Sequence, residues 1–159
     1  QKFSNWLSSK PEFDYIIDAA NIAYSRQNHD NGKFSFRQIE TVVDHLLVTC
    51  PEKRALVLIP SCYLSNSMPN NVKKNVLSYV QKTRDDQRIV DRLKKMDMLY
   101  EVPKGADDDW YWIFATVNEG RSRHANVITN DLMRDHKLAF MEPRPFLRWR
   151  NAHVSLYDL

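Results

Sequence analysis

Glycine is scarce in this sequence, with three in 159 residues, and proline is unremarkable at seven. That excludes collagen-like and low-complexity classes. Cysteine is scarcer still: Cys50 and Cys62 are the only two, and they form no CxxC pair. They cannot build a disulfide framework, and no zinc site is expected within the chain. A reducing, intracellular compartment follows as the default. No apolar run approaches the ~20 residues of a membrane helix, so no membrane association is expected. The longest run, Ala55-Leu56-Val57-Leu58-Ile59, has the length of a buried strand. There is no Walker loop, no GxGxxG and no GxSxG elbow around Ser61 or Ser65, which leaves nucleotide-cradle and serine-nucleophile chemistry without a carrier. The chain opens Gln1-Lys2-Phe3, with no Met and no signal-like apolar core. It reads as an excerpt of a longer protein, so missing targeting signals say nothing of location.

What is present fits a globular chain: 43% hydrophobic and 27% charged residues, with a net charge of +3. A chain of this size buries roughly 68–70% of its unfolded surface and needs no covalent staples. Residues 3–9 predict a short helix with Phe3, Trp6 and Leu7 on one side. Phe13 to Asp18 reads as a strand ending in an acid, and residues 24–35 as a loop. Ser35 is placed to cap a helix over 36–48, with Ile39, Val42, Val43, Leu46 and Leu47 at helical spacing. Arg54 to Ile59 is a second, fully buried strand, followed by a loop from Pro60 to Asn70. Lys73 and Lys74 open a helical stretch. A helix over 84–96 carries Ile89, Leu93 and Met96 on one side. Met98–Val102 and Asn126–Thr129 read as strands. Asp107–Asn118 and 131–140 read as helices. Pro143 to His153 is a basic, aromatic tail, with a last short strand at Val154–Tyr157. Strands alternating with helices imply an α/β fold, a doubly wound, mostly parallel sheet flanked by helices. No repeat or linker divides it, so residues 1–159 are expected to form one domain.

In such sheets the active crevice lies outside the carboxyl ends of the strands. Asp18 sits where the first strand stops. Asp107, Asp108 and Asp109 follow the third after a Pro-Lys-Gly-Ala turn. Asp131 comes two residues after Thr129, at the end of the fourth. Each alone reads more readily as a helix cap than as a ligand. Together, at successive strand ends, they read as one acidic pocket. Packed carboxylates repel, and a divalent cation removes the conflict. All-oxygen ligands suit Mg²⁺ or Mn²⁺ rather than zinc. Such an ion lowers the pKa of a water and stabilises the leaving oxygen of a phosphodiester. Successive helical positions are ~100° apart, so two of the Asp107–Asp109 run are expected to contribute, and the run alone does not say which two.

Three blocks carry a resemblance: Asp18-Ala19-Ala20-Asn21, Asp108-Asp109-Trp110-Tyr111-Trp112, and Thr129-Asn130-Asp131-Leu132-Met133-Arg134-Asp135-His136. With the closing Phe146-Leu147-Arg148-Trp149-Arg150-Asn151-Ala152-His153, they resemble the metallonuclease domain of proteinaceous RNase P. That family belongs to the NYN branch of PIN-like nucleases and removes 5′ leaders from precursor tRNA. The resemblance spans Phe13 to about His153. It implies an NYN/PIN-like nuclease fold and endonucleolytic hydrolysis that leaves a 5′-phosphate on the tRNA. It implies Asp18, Asp108, Asp109 and Asp131 as catalytic metal ligands for one or two Mg²⁺ or Mn²⁺ ions, with Asp107 the outsider. The family carries a glycine where this chain has Ala19, and a positive φ at that position would be strained. The family's pentatricopeptide-repeat arm and zinc module are expected upstream in the same full-length protein. Accessory proteins are left open. The family acts in mitochondria, plastids or nuclei, and an organelle is preferred.

Four residues are supporting candidates. Asn21 orients Asp18 or binds a metal-bound water, unless it is a plain turn residue. Arg134 and His136 lie about one turn beyond Asp131, within reach of phosphate. Arg134 pairs equally well with Asp135 or Asp131, and His136 reads more readily as a structural histidine than as a phosphate or base contact. Trp110, Ile113, Phe114 and Val117 share helical spacing and are expected in the core rather than stacked on bases. Arg144, Arg148, Arg150 and Lys137 form a candidate RNA-backbone patch. Asp85, Asp86 and Asp91 read as helix surface and N-terminal charge. Two rival functions remain: an NYN nuclease acting on mRNA or other structured RNA, and a non-catalytic RNA-binding or assembly module.

Overall fold

The computed structural model describes residues 2–27, 32–70, 78–117, 125–131 and 143–158, of which 143–147 are described by backbone alone. The elements in chain order are α1 (Lys2–Ser8), β1 (Tyr15–Asp18), α2 (Ala19–Ala23), α3 (Phe36–Thr49), β2 (Ala55–Pro60), α4 (Ser61–Leu64), β3 (Ser67–Pro69), β4 (Tyr79–Gln81), α5 (Arg84–Lys95), β5 (Leu99–Val102), α6 (Asp108–Val117), β6 (Asn126–Ile128), α7 (Pro143–His153) and β7 (Val154–Ser155). The predicted helical stretch from Lys73 and the helix over 131–140 fall almost wholly outside the described residues.

Five strands form one parallel sheet in the order β5-β2-β1-β6-β7. Along the chain the sheet grows outward from β1 through β2 to β5, then resumes on the other side of β1 with β6 and β7. The register aligns Ile17 with Val57 on one flank and with Ile128 on the other. This reversal next to β1 is a topological switch point, where a crevice opens beyond the carboxyl ends of the strands. Alternation along the strands separates two cores. Ile17, Val57, Ile59 and Ile128 face α2, α3 and α5. Ile16, Leu56, Leu58 and Val127 face α1 and α6, with Trp149 of α7 against them.

The helices are signed by their caps. Ser35 accepts from the Gln38 amide to open α3. Thr83 and Asp86 form a reciprocal capping box at α5, which places Asp86 in a structural role. α3 and α5 are clamped by Glu40, which accepts from both Arg88 and Arg92 at 3.0 Å.

Four differences from the sequence reading have local causes. β1 starts at Tyr15 rather than Phe13, because the Asp14 and Tyr15 amides both donate to the Arg54 carbonyl, at 2.8 and 3.0 Å. The loop from Pro60 to Asn70 holds α4 and β3, and β3 pairs antiparallel with β4. Met96 is the C-cap residue of α5 and 37% exposed, while Val90 takes a core position beside Ile89 and Leu93. The basic tail is the helix α7. Its prolines fall in the first turn, where they are tolerated, and Trp149 anchors it by stacking on Trp112 at 6.1 Å.

Candidate metal centre

β1 is short and buried, and the chain turns directly from it into α2. Asp18 is therefore both the last strand residue and the N-cap of α2, its Oδ1 accepting from the Asn21 amide at 3.0 Å. Ala19 lies in that helix, and Arg26 and Asp97 are the non-glycine residues with positive φ among the described residues. The strain expected of alanine at this position does not arise. Ala19 and Ala23 are fully buried, so small side chains let α2 sit close on the sheet.

Gly105 delivers the second group of acids. It has φ +80°, and Ala106 N–H donates back to Pro103 C=O at 3.1 Å. A positive φ at the third of four residues is what a type II turn requires, and glycine supplies it without strain. A Cβ there would meet no atom within 4 Å, so the demand is conformational and not steric. The turn leads into α6, where Asp107, Asp108 and Asp109 each place a carboxylate oxygen within 4.8 Å of the others. The ~100° spacing argument holds for helical positions. Asp107 escapes it because it precedes the helix, and its Oδ1 accepts from the Asp109 amide at 3.1 Å. Asp109 Oδ1 in turn accepts from Trp112 Nε1 at 3.2 Å, which ties the acid to the core.

Asp18 and Asp131 lie outside this tight group but within its field. Asp18, almost wholly buried, is pushed up to about 7. Desolvation is the first cause, opposed by the Asn21 and Thr129 hydrogen bonds and reinforced by the charges of Asp108 and Asp109. Asp108 is pushed up to about 6, by desolvation first and then by the charges of Asp109, Asp107 and Asp131. Among the described residues no lysine or arginine forms an ion pair with Asp18 or Asp108. A buried and a half-buried carboxylate that resist ionisation fit a hard divalent ion, which an all-oxygen donor set would hold. Cys50 and Cys62 are free thiols.

Thr129 escaped the sequence reading. It is fully buried, donates through Oγ1 to Asp18 Oδ2 at 2.8 Å, and accepts from the Asp131 amide at 3.0 Å. One hydroxyl thus links the acids of β1 and β6. A threonine at a buried strand end, two residues before an aspartate, was the only local signal. Asn21 uses its side chain elsewhere than on Asp18: its Oδ1 accepts from the Asn130 amide at 2.9 Å. Arg134, Asp135 and His136 lie outside the described residues, as do Lys137 and the Arg144 side chain.

The aromatic expectation is corrected. Trp112 and Ile113 are the buried pair, while Trp110, Phe114 and Val117 are 45%, 36% and 48% exposed. The sheet lies against the face of α6 that carries Trp112, Ala115 and Thr116, one step round from the spacing read in sequence. A cleft of about 900 Å³ beneath α3, lined by Tyr15, Gln38, His45 and Tyr157, contains none of the candidate acids.

A parallel α/β sheet with clustered carboxylates at its switch point defines the class of an α/β domain whose acids could hold a metal ion. The family described as protein-only RNase P matches residues 1–158, and the chain belongs to that family. Among curated relatives it is 31% identical over 152 residues to proteinaceous RNase P 1, chloroplastic/mitochondrial, of Arabidopsis thaliana, covering 96% of this chain and 23% of that one. It is 28% identical over 157 residues to proteinaceous RNase P 2 of the same plant, covering 98% and 26%. It is 24% identical over 156 residues to the mitochondrial ribonuclease P catalytic subunit of Mus musculus, covering 96% and 23%. The chain thus spans about a quarter of the length of these relatives. The crystal structure of nuclear proteinaceous RNase P 2 from A. thaliana superposes with a TM-score of 0.77 at 26% identity, over 99% of this chain and 30% of that one.

Proposed function

We propose that residues 1–159 form the nuclease domain of a longer protein that cuts precursor tRNA, removing the 5′ leader by phosphodiester hydrolysis. The observation that carries this reading is the carboxylate group at the sheet's switch point in a chain of the protein-only RNase P family. Asp18, Asp108, Asp109 and Asp131 are the proposed ligands of Mg²⁺ or Mn²⁺. When bound, such an ion supplies an activated water and neutralises charge on the phosphate. The chain's own contribution is to hold the acids. The Asn21 amide and the Thr129 hydroxyl favour ionised Asp18, and Trp112 Nε1 fixes the Asp109 carboxylate. Asp107 serves the α6 turn. Exposed Arg148, with Arg134 and His136, is proposed to meet RNA phosphates, whose contribution is salt-dependent and independent of sequence.

The repeat arm expected upstream would supply most of the affinity for tRNA. Relatives bear the names of organellar and nuclear enzymes, and an organelle remains the preferred location. The test is to incubate the full-length protein in Mg²⁺ with a precursor tRNA and, separately, with a stem-loop mRNA. One cut at the mature tRNA 5′ end, lost in Asp108→Asn/Asp109→Asn, is the expected result. Cleavage of the mRNA alone would favour the rival NYN nuclease. Unchanged processing by the double variant would end the catalytic assignment.

A further inference from the structure

We infer that Tyr157, in the segment after β7, is a positioning residue that fixes the distance between the acid at the end of β1 and the acid beyond β6. This rests on the proposed metal site and extends it to a part of the chain that the site reading does not use.

The structural case is a set of hydrogen bonds converging on Asn21 and Asn130. β7 pairs with β6, Ile128 opposite Ser155, and Thr129 N–H donates to Ser155 C=O at 3.2 Å. One step further the ladder is continued by a side chain. The Asn130 amide group donates through Nδ2 to Tyr157 C=O at 2.8 Å and accepts through Oδ1 from Tyr157 N–H at 3.0 Å. The Tyr157 ring then runs back toward β1, and its hydroxyl lies 2.9 Å from Asn21 Oδ1 and 3.0 Å from Asn21 C=O. Asn21 Oδ1 also accepts from the Asn130 amide. The phenol carries one proton, so it donates to one of the two Asn21 oxygens at a time. Burial raises the Tyr157 pKa, which keeps it a neutral donor. The residues joined adjoin the candidate ligands: the Asn21 amide donates to Asp18 Oδ1, and Asn130 precedes Asp131. Without the Tyr157 hydroxyl, Asn130 would still meet Asn21 and the segment after β7, but the direct strap from that segment to α2 would be lost, leaving the Asn130 amide as the one bond among these that holds Asn21. Partners that orient a metal ligand without touching the metal are commonly worth 10–100-fold in metal affinity or activity.

The experiment compares Mn²⁺ binding by calorimetry in the full-length wild type, Tyr157→Phe, Asn130→Ala, the double variant and Asp18→Asn, with melting temperature in chelator and with kcat on precursor tRNA at rising Mn²⁺. Tyr157→Phe is expected to weaken Mn²⁺ binding about tenfold, with kcat restored at saturating Mn²⁺. The double variant should lose less than the sum of the two single losses, because both act through one junction. Wild-type affinity in Tyr157→Phe, with only the melting temperature lowered, would make the residue structural and overturn the inference while leaving the metal site intact. Equal Mn²⁺ binding by wild type and Asp18→Asn would overturn the site itself and the inference with it. If Asn130→Ala does not fold, Tyr157→Phe decides alone, since it removes one oxygen and keeps the ring.

Discussion

Asp18 is the residue on which the site's electrostatics turn. It is held by two hydrogen bonds that favour its charge, yet burial and the acids of α6 push it up to about 7. In the metal-free folded state it keeps a proton that the unfolded chain releases near its ordinary value of 3.8. A folded pKa above the unfolded one means that stability falls as pH rises through that window. Asp108, pushed up to about 6, acts in the same direction. Metal-free protein is therefore expected to lose stability between about pH 4 and pH 7 from these two groups, while Mn²⁺ affinity rises over the upper part of the same range. Thermal melts and Mn²⁺ titrations against pH read both. Thr129→Val keeps the shape and removes the donor to Asp18 Oδ2. The pH midpoint of Mn²⁺ binding should move upward, and an unchanged midpoint would remove Thr129 from the site. Asp108→Asn/Asp109→Asn relieves repulsion and keeps an acceptor for Trp112 Nε1. In chelator it should melt above the wild type, by about 2–4 °C for each kcal/mol of repulsion relieved. A markedly lower melting point would make these acids structural caps. At this scale the acids were legible because strand ends and aspartates are local features. Thr129, Asn130 and Tyr157 were not, because their partners lie 111, 109 and 136 residues away in sequence.

Elements decide how the residues arrive. The turn at Gly105 and the capping box at Thr83 are both local devices, but only the first leads to the site. Gly105→Ala must adopt a left-handed conformation at a cost of roughly 1–2 kcal/mol, and it should shift the acids of α6. Thr83→Ala removes a cap worth about 1 kcal/mol. Both variants should melt lower, but only Gly105→Ala should also weaken Mn²⁺ binding. Equal metal affinity in the two would separate the turn from the site. The same contrast explains what periodicity could and could not show. α3 and α5 were readable because each has a capped start and one apolar stripe. α6 carries apolar residues on more than one face, so its spacing did not say that Trp112 rather than Trp110 turns inward. α7 was hidden because its arginines conceal an aromatic anchor, Trp149, whose partner Trp112 is 37 positions earlier. α2 and α4 are five and four residues long, too short to show a period.

For the whole molecule, the net charge of +3 conceals a segregation. Acids gather at the switch point, while the C-terminal helix presents arginine. The parallel order β5-β2-β1-β6-β7 places β1 at the centre, so one aspartate lies between the acids that follow β5 and the acid that follows β6. The proposed hydrolysis depends on those separate chain segments sharing an ion. Diffraction from crystals of the protein soaked in Mn²⁺, with an anomalous difference map, tests this most directly. The expected result is a peak in direct contact with Asp18 and with at least one of Asp108, Asp109 and Asp131. A peak confined to Asp107, or none near Asp18 at full occupancy elsewhere, would contradict it.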